Sequence, residues 1–489
     1  MSDLFKPFVV PVSLGILVGL FLVQKRGTAR VGAIFGPAIV LWFLMIAALG
    51  LPWIVRHPEV LAALSPWHGA RFLFGHGLHG LFVLGAVVLC FTGTEALYAD
   101  MGHFGARPIR FAWSVMVFPC LLLNYFGQGA AILGGDPRIV ANPFFALAPQ
   151  APLYPVVVVA TVAAVIASQA LISGSFSLAQ QAMQLGYSPR LDIVHTSPAA
   201  RGQIYVPQVN HLLLVACCLL TLVFRSSSNL AAAYGLAVTG TMIVTSVLLF
   251  AVARERWGWG RSAAGTLVAL FLCLDLPFFA ANAVKLLHGG WLPLVVGAAV
   301  FTIFVTWKTG RELLAEETRR GLVTLEQFLP SLKHEKPHRV SGTAVFMTSN
   351  LEFVPPVLLH NFKHNKILHQ QVILLYVVIE HVPAVPLEER VTVRDFGDGL
   401  YAVVARFGFM ERPDVPRALK RCRSQGLRVK PGETSYYLGR ETLLTTGTSP
   451  MSRWRKALFA YLSRNARPAT AFFSLPPNRV LELGMQVQL

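Results

Sequence analysis

Residues 78–103 read LHGLFVLGAVVLCFTGTEALYADMGH. The run has the length of a membrane-crossing helix, about 20 residues, and from Leu78 to Phe91 it is almost wholly apolar. It then becomes polar without ending. Gly93 sits between Thr92 and Thr94, and two acids follow, Glu95 and Asp100. A glycine flanked by threonines interrupts helical propensity at membrane depth. Unwound backbone there exposes carbonyl oxygens, to which hydroxyls and a carboxylate add further oxygen ligands. A monovalent cation that sheds its water needs such a cage. Charge inside a bilayer is costly and marks function by default, so Thr92, Thr94, Glu95 and Tyr98 are candidate ion ligands, with Glu95 at the break. Asp100 lies closer to Arg107 and the membrane edge. The competing reading is an interfacial helix end, with Glu95 and Asp100 already in water.

The rest of the chain supports a membrane reading. Of its 489 residues 54% are hydrophobic and only 13% charged, with a mean hydropathy of +0.56, whereas a water-soluble globular chain carries roughly a quarter charged residues. The deficit is uneven. Residues 1–307 hold 8 of the 24 acids and 16 of the 42 Lys and Arg. The expected organisation is therefore a transmembrane domain over 1–307 and a cytosolic domain over 308–489. The net charge of +18 fits a surface facing anionic lipid headgroups and does not call for nucleic acid. The six cysteines show no metal-ligand spacing and no disulfide framework. No cleavable signal peptide is expected, because Met1 to Pro7 lead directly into an apolar run.

Nine stretches have roughly the span length: 7–23, 31–55, 78–103, 109–131, 153–176, 208–224, 229–252, 263–284 and 290–307. Alternate loops differ in basic residues. One set carries Lys25, Arg26, Arg30, Arg107, Arg110, Arg190, Arg201, Arg254, Arg256 and Arg261; the other carries Arg56, Arg71, Arg138, Arg225 and Lys285. The richer set is cytoplasmic by the positive-inside rule, which places the C-terminal domain inside and Met1 outside.

A third membrane-depth acid, Asp275, lies in Leu272-Cys273-Leu274-Asp275-Leu276-Pro277. Pro277 removes the hydrogen bond to the Cys273 carbonyl, so the backbone there is polar as well. Asp275 reads either as a functional group or as a structural carboxylate paired to another helix. Two uncharged polar stretches, Ser173 to Gln181 and Tyr234 to Thr241, read mainly as small-residue packing surfaces.

Several stretches carry a family likeness. Residues 92–105, TGTEALYADMGHFG, resemble a hallmark of the KUP (KUP/HAK/KT) potassium uptake transporters; so do residues 123–130, LNYFGQGA, residues 229–242, NLAAAYGLAVTGTM, residues 288–293, HGGWLP, and residues 475–484, LPPNRVLELG. The likeness runs from about residue 8 to the last residue. It implies an α-helical multi-pass carrier of the amino acid–polyamine–organocation type, with inverted repeats and broken helices around the substrate. It also implies proton-coupled potassium uptake in the cell inner membrane, with Glu95 and Asp275 important for it. The nine stretches align with the family's fourth to twelfth spans, so the chain is expected to be N-terminally truncated, without the first three. A transport-incompetent membrane subunit or scaffold, and a carrier of another small cation, are the alternatives.

Residues 342–379 alternate strand-like (343–347), helix-like (354–362) and strand-like (371–379) runs, the mark of a small α/β domain. No phosphate loop or metal motif is present, so neither enzymatic activity nor a cofactor is expected. The expected partners are potassium, protons and the lipid bilayer, with a homodimer and a nucleotide regulator of the C-terminal domain carried by analogy alone.

Overall fold

The computed structural model describes residues 6–26, 28–93, 105–135, 139–140, 142–196, 204–319, 323–335, 337–348, 350–380, 382, 384–408, 411, 413–444, 446–447, 449–466 and 469–488. Two compact units emerge: residues 1–178 with 207–300, and residues 179–206 with 301–489.

The first unit is helical. Its helices are α1 (Lys6–Val23), α2 (Thr28–Arg56), α3 (Pro66–His76), α4 (Leu78–Val87), α5 (Ala106–Leu133), α6 (Leu153–Gln184), α7 (Pro207–Phe224), α8 (Ser227–Glu255), α9 (Arg261–Ala283) and α10 (Trp291–Arg319). Helix α6 enters the second unit at its end and α10 does so midway. Seven described helices are long and apolar enough to cross a membrane; α1 and α4 are apolar but shorter. The nine expected stretches thus fall on helices, but α4 departs from its sequence reading. It stops near the middle of the 78–103 run, after one 3-10 turn at Val88–Cys90. Helix α5 contains a π turn at Trp113–Val117. Pro119 follows; its ring crowds the carbonyl one turn back, and the wider turn accommodates it.

Close packing rests on glycine. Gly50 of α2 and Gly127 of α5 meet backbone to backbone, and a Cβ on either would overlap the other helix. Beside this crossing the buried Asn124 side chain donates to the Ile46 carbonyl at 3.1 Å. Such interhelical hydrogen bonds contribute only about 0.6 kcal/mol each in membranes, so the close approach of the two backbones stabilises the crossing more than this bond does. The 3-10 turn that follows α1 is joined to α6 by a reciprocal amide pair, Gln24 to Gln169 at 2.5 Å and Gln169 to Gln24 at 2.8 Å. Hydroxyls of the two uncharged polar stretches bond within their own helices. Ser175 and Ser177 donate to their own helix at Leu171 and Ser173, and buried Thr239 donates to the Gly235 carbonyl at 2.8 Å.

The second unit contains a six-stranded sheet of β3 (His338–Thr348), β4 (Ile367–Glu380), β5 (Val391–Gly397), β6 (Leu400–Gly408), β7 (Thr434–Leu444) and β8 (Val480–Gln488), in the order β5-β6-β4-β3-β7-β8. A separate two-stranded pair, β1 (Val194–His195) and β2 (Ile204–Tyr205), precedes it. Every neighbouring pair in the large sheet is parallel except β5 with β6. A parallel sheet buries both faces, and successive residues divide between two cores. Ala344 and Phe346 pack with α11 (Leu325–Glu335) and α12 (Pro356–Asn365), whereas Val345 packs with α13 (Val415–Arg421). The strand–helix–strand alternation read from the sequence is therefore present, with longer strands than the apolar runs alone delimit.

One ion pair braces the edge of this sheet. Arg390 donates to Glu411 at 2.5 Å, and the amides of Gly408 and Val385 donate to the same carboxylate at 2.7 and 3.2 Å. Burial alone would raise the Glu411 pKa, but these amides and the Arg390 charge outweigh it and hold the carboxyl below its ordinary value. A depressed pKa stabilises the fold above the ordinary carboxylate range and ceases to do so as pH falls through the folded value.

Two outcomes follow from this packing. Gly127→Val should separate α2 from α5 and lower the yield of folded, monodisperse protein in detergent, measured by size-exclusion chromatography; a normal yield would refute the close-contact assignment. Glu411→Gln should weaken the edge by about 1.5–3 kcal/mol. At pH 7 the amides of β5 and β6 should then exchange roughly 10–100-fold faster, and the wild-type advantage should shrink on acidification.

Candidate functional site

The site forms where α4 ends. Beyond Cys90 the chain leaves the helix at Phe91, and Thr92 and Gly93 are non-helical. Gly93 has φ +112°, a conformation open to glycine and disfavoured for residues with a Cβ. A helix terminus leaves carbonyls without intrahelical donors, and lipid supplies none. Here hydroxyls do so. The Thr92 hydroxyl donates back to the Leu89 carbonyl at 3.2 Å, and the Tyr125 hydroxyl of α5 donates to the Cys90 carbonyl at 2.6 Å. The Phe91 amide reaches the Val88 carbonyl at 3.4 Å.

This arrangement is chemically suited to a bare monovalent cation. Each carbonyl has two lone pairs, and each hydroxyl that donates its proton retains acceptor lone pairs. The negative end of the α4 dipole adds to the attraction. Oxygen donors of this kind replace the water of a hard, weakly hydrated ion.

Asp275 of α9 belongs to the same unit. It is buried, and its Oδ2 accepts a hydrogen bond from Ser246 of α8 at 2.5 Å. Three residues further on, Phe278 packs edge-to-face against Phe91 with ring centroids 5.4 Å apart. Helix α9 thus carries Asp275 to within one turn of the residue that contacts the α4 break. It remains helical through Pro277, so the proline leaves a carbonyl short of its amide without unwinding the helix. Lys285, after the end of α9, donates to the Gly85 carbonyl of α4 at 3.3 Å. Buried Asn282 faces Gly235 of α8, where a Cβ would overlap its side chain.

Of the residues singled out from the sequence, the structure describes Thr92 and Asp275, and the packing of α4 on α9 brings their segments together. Thr94, Glu95, Tyr98 and Asp100 lie outside the described residues. Sequence reading missed Tyr125, Ser246 and Lys285 as partners. Tyr125 was within reach, since it lies in the LNYFGQGA stretch that carried part of the family likeness. Among the described residues no group of three or more His, Cys, Asp and Glu side chains could hold a metal ion.

Residues 1–312 match the profile of the K+ potassium transporter integral membrane domain, and residues 341–489 match that of the K+ potassium transporter C-terminal domain. The chain belongs to the K+ potassium transporter (KUP) family. A protein of Myxococcus xanthus named "Probable potassium transport system protein Kup" is 55% identical over 488 residues, covering 100% of this chain and 75% of the relative. Its namesake in Anaeromyxobacter sp. (strain Fw109-5) is 56% identical, covering 99% and 73%. The Kup 1 protein of Syntrophobacter fumaroxidans is 53% identical, covering 100% and 74%. Members of this family are transporters, not enzymes.

The Tyr125 hydroxyl should hold the end of α4 in place. In Tyr125→Phe the Cys90 carbonyl loses that donor, and hydrogen exchange in a peptide spanning residues 85–93 should rise severalfold while α9 is unchanged. Equal exchange in the two proteins would show that the bond does not fix the break.

Proposed function

We propose that this chain is a multi-pass inner-membrane carrier that takes up potassium together with protons, and that the ion binds at the break after α4. The observation that carries this reading is the end of a half-length apolar helix whose last carbonyls are held by the hydroxyls of Thr92 and Tyr125. Glu95, Thr94 and Tyr98 follow directly in the sequence and complete the ligand set. Glu95 is the carboxylate whose charge compensates the ion or carries the coupled proton. Asp275, at membrane depth on α9, is the second proton-coupling group, kept in place by Ser246. Asp100 has a lesser part, at the membrane edge.

The wider architecture in this reading is the inverted-repeat bundle of the amino acid–polyamine–organocation carriers, in which broken helices face each other across the substrate. Residues 1–307 form its membrane domain and residues 308–489 a cytoplasmic domain. By analogy with related domains the latter is regulatory. The order of its sheet reverses between β3 and β7, the kind of crevice in which α/β domains bind nucleotides, and association into a homodimer belongs to the same analogy.

The test is potassium uptake in cells that have no other potassium uptake system. Glu95→Gln should abolish growth at low external potassium. Thr92→Val removes one oxygen ligand and should raise the potassium concentration for half-maximal uptake about tenfold, for a loss near 1.4 kcal/mol. Asp275→Asn should leave potassium binding in place and abolish the coupled proton current. Wild-type uptake by Glu95→Gln would remove the break from consideration as the ion site.

A further inference from the structure

Helix α14 (Arg453–Arg464) of the second unit has no part in the transport reading. Its sequence, RWRKALFAYLSR, carries Arg453, Arg455, Lys456 and Arg464 and no acid. One face is buried. Phe459 is fully buried against the Trp307 ring of α10, with centroids 5.4 Å apart, and lies where a Cβ on Gly310 would stand. Arg455 donates to Thr306 at 3.0 Å and to Thr309 at 3.4 Å. Contacts four residues apart on α14 therefore meet positions one residue apart on α10. Both contacts fall within Thr306 to Gly310, so α14 meets α10 over about one turn of the latter.

The level of this contact is informative. Helix α10 is apolar enough to span a membrane, and Thr306 to Gly310 lie at the end of its apolar stretch, where Trp307 and Lys308 begin the polar part. A helix that meets α10 at that level stands at the membrane surface. Leu443 of β7 and Val487 of β8 share the cluster that buries Phe459 and Ala460, so the sheet and α10 cover two sides of α14. The uncovered side carries Trp454 and Tyr461, 59% and 65% exposed, with the exposed Arg453 and Arg464 at its two ends. Tryptophan and tyrosine partition to the headgroup region, and arginine adds attraction to anionic lipid. Residues seven apart stand on one face of a helix.

We infer that α14 is a membrane-surface helix whose Trp454 and Tyr461 insert into the lipid headgroup layer around α10, and whose Arg453 and Arg464 bind anionic lipid phosphates. This ties the soluble domain to the bilayer independently of its connection through α10. The inference requires that α10 cross the membrane and is independent of where potassium binds.

The experiment places the photoreactive residue p-benzoylphenylalanine at position 454, 461 or 481 of the full chain. Each protein is reconstituted in vesicles of phosphatidylcholine alone or mixed equally with phosphatidylglycerol, and lipid adducts are read by intact mass. Leu481 is the control. It is 45% exposed and stands six residues along β8 from Val487, about 20 Å from the α14 cluster. Lipid adducts are expected at 454 and 461 and not at 481, with a higher yield in the phosphatidylglycerol vesicles. Arg453→Gln with Arg464→Gln should remove that increase, at about fivefold per arginine. Adduct yields at 454 and 461 no higher than at 481 would overturn the membrane contact. So would cross-links to a second copy of the chain, which would make this face a protein interface. Equal yields in the two lipid mixtures would overturn the anionic-headgroup assignment.

Discussion

Within the hydrocarbon core no water is available to satisfy a backbone amide or carbonyl, and the arrangement of the membrane helices follows from that constraint. Polar side chains on these helices mostly turn inward to their own backbone. Thr161 donates to Val157, Ser168 to Ala164, Thr221 to Cys217 and Thr245 to Thr241, at 2.8 to 2.9 Å. Such hydroxyls leave no unpaired donor facing lipid. The break after α4 answers the same constraint differently. Its terminal carbonyls find donors in Thr92 beside them and in Tyr125 on another helix, so the helix can stop at depth without leaving those groups bare. The need to satisfy the backbone thus also gathers several oxygen atoms in one place.

Small residues make those cross-helix pairings reachable. Asn124 reaches the Ile46 carbonyl because Gly50 and Gly127 let α2 and α5 touch, and the same α5 presents Tyr125 to α4. On the other side of α4, Gly85 lies against the Ala281 backbone of α9 and within reach of Lys285. That contact carries Phe278 to Phe91 and sets Asp275 one turn away. A carboxylate in this setting is expensive unless hydrogen-bonded, and Ser246 supplies a donor. The site is therefore held by α5 on one side and by α9 with α8 on the other.

The soluble domain follows ordinary aqueous rules. Its parallel sheet divides successive residues between two apolar layers, and the half-buried Glu411 is paired with Arg390. Helix α14 is an exception to a purely aqueous surface, since it leaves Trp454 and Tyr461 uncovered. That exposure is costly in water and favourable in a headgroup layer, which is why the contact of α14 with the end of α10 matters.

Much of this was legible in the amino-acid order. Apolar run length is a one-dimensional property, so the helices of the membrane unit could be read directly. The motif around residues 92–105 identified the family, and Gly93 between two threonines marked the end of α4. The pattern could not say that α4 ends as early as Cys90, because apolar residues and a short 3-10 turn look alike in sequence. Nor could it pair Tyr125 with Cys90, Ser246 with Asp275, or Phe459 with Trp307, which lie 35, 29 and 152 residues apart. Nor did the sequence show that α8 supplies a hydroxyl to Asp275. Those partnerships depend on where helices cross, and crossing points are set by the shapes of two surfaces together. Composition and run length determined that this chain has membrane-crossing helices; only the packed structure decided which of them touch and through which side chains, because a crossing point depends on two surfaces at once.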